Sequence, residues 1–319
     1  MKTFNKKMRR NKLTVTVGLL FWGWLAVSCS NDTDQEIQNN QVINAGNVSF
    51  SLREETFESA VEIDTRAIST IRDTVDIGNG LEAEVSVEAD SSVALPRATT
   101  RATEPLQEGT YHIYAFQSGA LKGSLTCTMA GGKLSSTGKM YLPHGTYDFI
   151  CVNEQVTYHA ATASFSVKRG DALVAVLQGK SINQDPKQQV DFELKHLTAR
   201  AKIKLETYWP IKNIKATTQL LATATQQRAV ATFTAANPTS ITYTTGEVKD
   251  TYALADATEE AANYTYAALS KNWQYYFPET DATKFQMVMT SGDKLYRRDV
   301  AGAKIALKGL SSMLPNKSY

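Results

Sequence analysis

Apolar and polar residues alternate along much of this chain. Val48-Ser49-Phe50-Ser51-Leu52 and Leu81 to Val87 put every second residue on an apolar face, the pattern of strands buried on one side. From Thr110 the pattern recurs at short intervals. Tyr111-His112-Ile113-Tyr114-Ala115-Phe116 stops at Ser118-Gly119, and Leu121 to Met129 stops at Gly131-Gly132. A short run, Lys139 to Leu142, ends at Pro143-His144-Gly145, and Thr146 to Val152, Ala163 to Val167 and Ala172 to Leu177 follow. Val190 to Glu206 carries the densest alternation. Beyond Trp209-Pro210 the strand signals resume at Ile211 to Ala216, Ala229 to Thr234 and Ser240 to Thr244. Gln274 to Phe277, Phe285 to Met289 and Lys294 to Val300 complete them. Only Leu254 to Asn263, Ala-rich with Glu259 and Glu260, predicts a helix. Turn signals roughly every 8 to 12 residues predict an all-β sandwich or barrel.

The N-terminus follows different rules. A basic stretch runs to Lys12, and an apolar stretch, Leu13 to Val27, follows it. That is the length of a signal-peptide core and too short to span a bilayer comfortably. It ends in Leu25-Ala26-Val27-Ser28-Cys29, which resembles the lipobox of bacterial lipoproteins, so Cys29 is the expected lipidation site. Ser30-Asn31-Asp32-Thr33-Asp34-Gln35-Glu36 then reads as a solvated tether. It also looks like the acidic tag that sends Bacteroidetes lipoproteins to the outer face of the outer membrane. Residues 1–28 are thus read as signal peptide and 29–46 as a polar, aperiodic tether.

Composition and charge narrow the function. With 42% hydrophobic and 21% charged residues among 319, the chain is globular in composition. The net charge of +2 rests on 34 basic and 32 acidic residues. Once the basic leader is removed the remainder is mildly acidic, which gives no support to a nucleic-acid partner. Catalytic chemistry finds no anchor. His112, His144, His159 and His196 lack metal-ligand spacing, and no nucleophile elbow, phosphate loop or CxxC occurs. The pairs Glu54-Glu55 and Glu259-Glu260 read as solvated charge. The expectation is a protein that is not an enzyme and needs no cofactor or metal. Cys127 and Cys151 lie on the apolar faces of their strands and read as free thiols in the core.

Three stretches carry a resemblance. One is Tyr111 to Phe116 with the later Leu142-Pro143-His144-Gly145-Thr146-Tyr147-Asp148-Phe149. Another is Phe192-Glu193-Leu194-Lys195-His196-Leu197-Thr198-Ala199-Arg200-Ala201-Lys202-Ile203, and the last is Tyr275-Tyr276-Phe277-Pro278-Glu279-Thr280. In their order and spacing they resemble the fimbrillin family of Bacteroidales pilins. The resemblance implies two transthyretin-like β-sandwich domains in tandem, placed at 47–195 and 196–319. It implies export as a lipoprotein and cleavage after an arginine by a trypsin-like protease. Assembly with other fimbrial subunits by β-strand addition would follow, with host or bacterial surface ligands as further partners. The Arg-Ala pairs at Arg66, Arg97 and Arg101 resemble the family's processing sites. Leu81 to Val87, before two of them, is the expected edge strand of the first sandwich. Its Leu81, Ala83, Val85 and Val87 would lie in the groove that cleavage vacates.

The end of the chain departs from the family. It stops after Pro315-Asn316-Lys317-Ser318-Tyr319, where relatives continue into a closing strand. This implies either a truncated product or a subunit without the strand that a stalk pilin donates. A rival reading is a surface glycan-binding lipoprotein of a nutrient-uptake system. It draws on Tyr264, Tyr266, Trp273, Tyr275 and Tyr276, which could stack sugar rings.

Overall fold

The computed structural model describes residues 41–59, 71–87, 90, 103–104, 106–183, 188–221, 227–260, 265–279, 281–295, 297–306 and 312–319. They are built of strands and loops with a single 3-10 turn, Ala282–Lys284. The all-β class expected from the alternation is what the chain adopts. Among the described residues, no helix is long and apolar enough to cross a membrane.

The first strands are β1 (Gln41–Asn44), β2 (Val48–Glu55), β3 (Glu58–Ser59), β4 (Ile71–Gly78), β5 (Leu81–Val87) and β6 (Thr103–Glu104). β7 (Gly109–Gln117), β8 (Ala120–Ala130), β9 (Lys133–Ser136) and β10 (Gly145–Asn153) follow. Next come β11 (Val156–His159), β12 (Ser164–Val167), β13 (Leu173–Ile182) and β14 (Gln188–His196). The later part holds β15 (Ala199–Ala201), β16 (Lys204–Thr207), β17 (Lys215–Leu220), β18 (Gln227–Thr234) and β19 (Asn237–Gly246). It continues with β20 (Asp250–Ala253), β21 (Thr258–Glu260), β22 (Thr265–Leu269) and β23 (Gln274–Tyr276). β24 (Phe285–Ser291), β25 (Lys304–Ala306) and β26 (Lys317–Ser318) complete the order.

The largest sheet runs β1-β2-β14-β13-β10-β7-β8-β9, with β6 added at the end of β2. Its two edges meet where the Met140 amide donates to the Ala45 carbonyl at 2.7 Å. Gly46 makes that seam close: its φ is +104°, and a Cβ there would lie 2.7 Å from the Met140 carbonyl oxygen. The rolled sheet encloses a core in which Phe50, Phe149 and Phe192 meet. Positive φ at Ser118-Gly119 and Gly131-Gly132 gives β7–β8 and β8–β9 tight two-residue turns. The outer face of β7, β10 and β13 is apolar as well. Phe116, Ile150, Val152 and Val174 are covered there by Phe165, Val167, Ala231 and Phe233 of a second sheet, β11-β12-β18-β19. That sheet takes strands from both sides of residue 195.

A third core lies between β16-β22-β21 and β20-β17-β24-β25, around Ile214, Ala216, Tyr252, Met287 and Ile305. A fourth small sheet, β23-β15-β26-β3, joins the chain's last strand to the segment just after β2.

Several expectations need correcting. Described residues 254–260 are not helical: Leu254 bridges Ser270 and β21 pairs with β22. Buried Leu254 and the neighbouring strand outweigh the helix propensity of alanine. Residues 41–44, read as tether, form β1 with Ile43 buried. The reading of Cys127 and Cys151 as free, buried thiols holds. Their strands β8 and β10 flank β7 on opposite sides. Two strand spacings of about 4.8 Å each exceed the reach of a disulfide. Burial pushes the Cys127 thiol up to about 12, and it raises Cys151 well above its ordinary value.

Candidate functional site

Cys29, Arg66, Arg97 and Arg101 lie outside the described residues. In sequence Arg66 falls between β3 and β4, and Arg97 and Arg101 fall between β5 and β6. What can be compared is the strand that each cut would detach.

β5 is not an edge strand of the first core. Among the described residues it pairs only with β4, in a two-stranded sheet. The alternation itself holds, since Glu82 and Glu84 are exposed while Leu81, Ala83 and Val85 are half-buried. Ala83 and Val85, with Val75 of β4, pack against the third core beside Ile214 and Met287. The Asn79 side chain donates to the Asp299 carbonyl at 3.0 Å, and Arg298 donates to the Asn79 carbonyl. Alternation identifies the buried side of a strand and leaves open which core receives it.

The strand that fills the first core is β2. Val48, Phe50 and Leu52 are at most 1% exposed. β2 runs parallel to β14, with Val48 to Glu54 in register with Gln188 to Leu194. Every other pairing of that sheet is antiparallel apart from the seam bridge. Arg53 and Glu193 stand side by side in this register and form an ion pair at 2.5 Å.

At the end of β2 the chain enters a buried polar and aromatic site. Glu54 and Glu55, expected to be solvated, are 0% and 6% exposed. Both remain within the register of a strand whose end is covered by β6 and the loop before β7. Gln107 donates to both Glu54 carboxylate oxygens, from its amide nitrogen at 3.2 Å and its side chain at 2.9 Å. The same side chain reaches Asp171 at 3.0 Å. His196, at the end of β14, is 2.7 Å from the Asp171 carboxylate through Nδ1. Its Nε2 is 2.8 Å from the Glu55 carbonyl oxygen and 3.5 Å from Glu54. Both nitrogens therefore face oxygen acceptors.

Glu54, Asp171 and His196 can each bring a ligand atom within 4.8 Å of the others. In the structure those atoms are engaged by one another and by Gln107. Burial raises the Tyr111 phenol, and the Glu54 charge adds to the effect. The phenol accordingly stays a donor, to the Gln107 carbonyl at 2.9 Å. Tyr275 is raised in the same way by burial and by Asp171.

Phe57 closes the site. Its ring stacks on His196 with centroids 3.6 Å apart, and the Arg200 guanidinium lies 4.3 Å from its centroid. Trp273 also meets the guanidinium, 4.2 Å from its ring centroid. Beyond Phe57, β3 pairs in parallel with β26, and Lys317 holds Glu58 at 2.7 Å. Sequence reasoning singled out His196 and Arg200 as motif positions but passed over Phe57, Asp171 and Gln107. The available signal was an aromatic residue between polar Thr56 and acidic Glu58, with no neighbouring apolar residue to explain it.

The expected sugar platform is not exposed as a set. Trp273 is half-buried, with Arg200 and Lys202 against its ring, and Tyr276 is buried. Tyr264 lies outside the described residues, and Tyr266 is half-buried. Among the described residues the exposed large aromatics are Tyr208 at 73%, Tyr141 at 65% and Trp209 at 58%, of which Tyr208 and Trp209 are adjacent.

No protein-family model matches the chain, and no curated protein sequence matches it. Among solved structures it is similar to a fimbrial protein from Bacteroides vulgatus, at 11% identity and a TM-score of 0.39, over 66% of this chain and 84% of that one. A fimbrial protein from Bacteroides ovatus is similar at 10% identity and a TM-score of 0.35, over 87% of this chain and 48% of that one. The fimbrial anchor protein Mfa2 from Porphyromonas gingivalis is similar at 10% identity and a TM-score of 0.30, over 75% and 77%. At such low identity and superposition these likenesses carry no residue-level role to this chain.

Proposed function

We propose that the chain is a structural or adhesive subunit of a bacterial surface fimbria. In this reading lipid on Cys29 holds it in the outer membrane, a protease cuts after an arginine, and other subunits are joined by strand exchange. The protein itself performs no catalysis. Two sandwich domains, 47–195 and 196–319, belong to the same proposal, and the sheet β11-β12-β18-β19 would tie one to the other.

The observation that carries the reading is the place of β2. It lies upstream of Arg66 in sequence, fills the first core with Val48, Phe50 and Leu52, and is the parallel neighbour of β14. A cut after Arg66 followed by loss of the upstream segment would leave an apolar trench and an unpaired edge. Both are liabilities that strand addition removes. Each of the three side chains is worth roughly 1.5–3 kcal/mol on burial, enough to drive replacement by an incoming strand.

The test is controlled trypsin digestion followed by electrophoresis in SDS without boiling. Ladders of SDS-resistant multimers should appear as the segment upstream of Arg66 is lost. Cut protein that sheds this segment and stays monomeric would refute the reading.

A glycan-binding surface lipoprotein is the second reading, and the exposed Tyr208–Trp209 pair favours it. The Thr207 hydroxyl donates to the Trp209 carbonyl at 2.6 Å and fixes that turn. Saccharide-dependent quenching of Trp209 fluorescence, lost in Trp209→Phe, would support it.

A further inference from the structure

The apolar trench under β2 accepts any strand with alternating apolar residues. The site three residues beyond Glu54 is more selective. Phe57 is 4% exposed and lies between two flat, nitrogen-rich groups. The His196 ring packs against it at an interplanar angle of 27°, and the Arg200 guanidinium lies 4.3 Å from the ring centre.

Residues downstream of Arg66 reach both walls, and the Glu55 carbonyl on His196 Nε2, which leaves with the upstream segment, is a backbone group that any incoming strand replaces. Asp171 holds His196 through Nδ1 at 2.7 Å. Arg200 donates from Nε to the Ser318 hydroxyl at 3.0 Å, has Asp90 at 3.5 Å, and rests on Trp273. The slot should therefore keep its shape when the segment carrying Phe57 leaves. A π face suits these walls, because the Arg200 guanidinium is drawn to an aromatic quadrupole and the flat His196 ring stacks on it, and neither has such an attraction to an aliphatic chain.

Resting on the strand-exchange reading above, we propose that the space filled by Phe57 is a recognition slot for an aromatic side chain of the incoming subunit's strand. His196 and Arg200 are its specificity-determining residues. The strand it selects is extended and parallel to β14. It carries apolar residues at the places of Val48, Phe50 and Leu52, an aromatic residue at the place of Phe57, and an acid next to it to meet Lys317, as Glu58 does at 2.7 Å. β2 and β3 are parallel to β14 and β26 respectively, so one continuous strand can satisfy both sheets.

The probe is a labelled synthetic peptide of residues 48–59, Val-Ser-Phe-Ser-Leu-Arg-Glu-Glu-Thr-Phe-Glu-Ser. The purified full-length protein is cut with trypsin, the protease is inhibited, the upstream segment is displaced in mild denaturant, and peptide capture is followed by fluorescence anisotropy. The parent peptide should bind. Phe57→Leu should weaken it about tenfold through loss of the stacking on His196 and of the attraction to the Arg200 guanidinium. Phe57→Ala should weaken it on the order of a hundredfold, while Phe57→Tyr should stay within about threefold.

An Arg200→Gln protein that still folds should bind the parent and Phe57→Leu peptides almost alike. If it does not fold, the peptide series on the parent protein decides alone. Equal binding of the parent and Phe57→Leu peptides to the parent protein would overturn the slot and leave strand exchange standing. Failure of the cut, emptied protein to capture any peptide would overturn strand exchange, and the slot with it.

Discussion

Phe50 of β2 and Phe192 of β14 stack with ring centroids 6.0 Å apart and an interplanar angle of 27°. Phe50 is supplied from upstream of Arg66 and Phe192 from downstream. Phe50→Ala should cost the intact protein about 3–5 kcal/mol, because the rigid trench cannot collapse onto the smaller side chain. Urea unfolding measures this. In protein that has been cut after Arg66 and has lost its upstream segment, the same substitution should have no effect. A penalty that persists there would mean that the segment never leaves.

Cys29 is expected to carry the lipid, because the basic leader, short apolar stretch and small residues before a cysteine coincide there. Cys29→Ala should move the protein out of the outer-membrane fraction and abolish palmitate labelling. A variant that stays membrane-bound with unchanged labelling would remove the anchor.

High pH should destabilise the fold through its buried acids. Burial raises Cys127 from 9.0 to about 12 and Tyr252 from 10.0 to about 12. Both groups are neutral in the fold and lose their protons first in the unfolded chain. Their contribution is therefore fully present below pH 9 and falls as pH rises to about 12. For one such proton the slope is about 1.4 kcal/mol per pH unit. Unfolding free energies from pH 8 to 11 should fall more steeply above pH 9, and Cys127→Val should flatten the first part of that fall. A native protein that reacts with a thiol reagent as fast as the denatured chain does would contradict the burial of both cysteines.

The strands legible in the sequence share two signals, an alternating face and a turn with a strict conformational demand. β7, β8 and β10 have both, and β5 has the bounds its alternation predicts. β9 holds one apolar residue, Leu134, in a run of polar ones, too little for a period to show. Over its described residues, 254–260, the predicted helix failed because alanine's local preference is small beside a buried position in a neighbouring sheet. The candidate site was less legible for a topological reason. His196 Nε2 meets the Glu55 carbonyl 141 residues away, and Arg53 meets Glu193 across 140. Local pattern carries no information about such pairings. Glu54-Glu55 looked solvated because a carboxylate pair is usually so, and the loop bearing Gln107 makes Glu54 an interior acceptor.

Trp209 and Ile211 offer a contrast two residues apart. Trp209 is 58% exposed and Ile211 is 1% exposed. Trp209→Ala should change stability by less than about 0.5 kcal/mol, whereas Ile211→Ala should cost about 2–5 kcal/mol. Thermal or urea unfolding separates them. A large loss from Trp209→Ala would show that the indole is covered in solution and would remove the support for a glycan platform.

Arginine choice should decide whether processing yields an assembling subunit or a damaged one. A cut after Arg66 detaches β1, β2 and β3 and leaves the β4–β5 hairpin on the third core. It uncovers β14 and the outer side of β26, the two edges that a single incoming strand can cover. A cut after Arg97 or Arg101 with loss of everything upstream takes the hairpin too. Val75, 8% exposed, would leave with it, together with the half-buried Ala83 and Val85. The third core, with Ile214, Met287 and Ile305, would then lose part of its cover. Such a product should bind a hydrophobic dye and aggregate without forming discrete multimers. Subunits recovered from an SDS-resistant ladder should therefore begin at Ala67, and dye-binding aggregates at Ala98 or Ala102. N-terminal sequencing of the two fractions distinguishes these outcomes. A ladder whose subunits begin at Ala98 or Ala102 would show that the hairpin is part of what is exchanged, and that β2 alone does not define the trench.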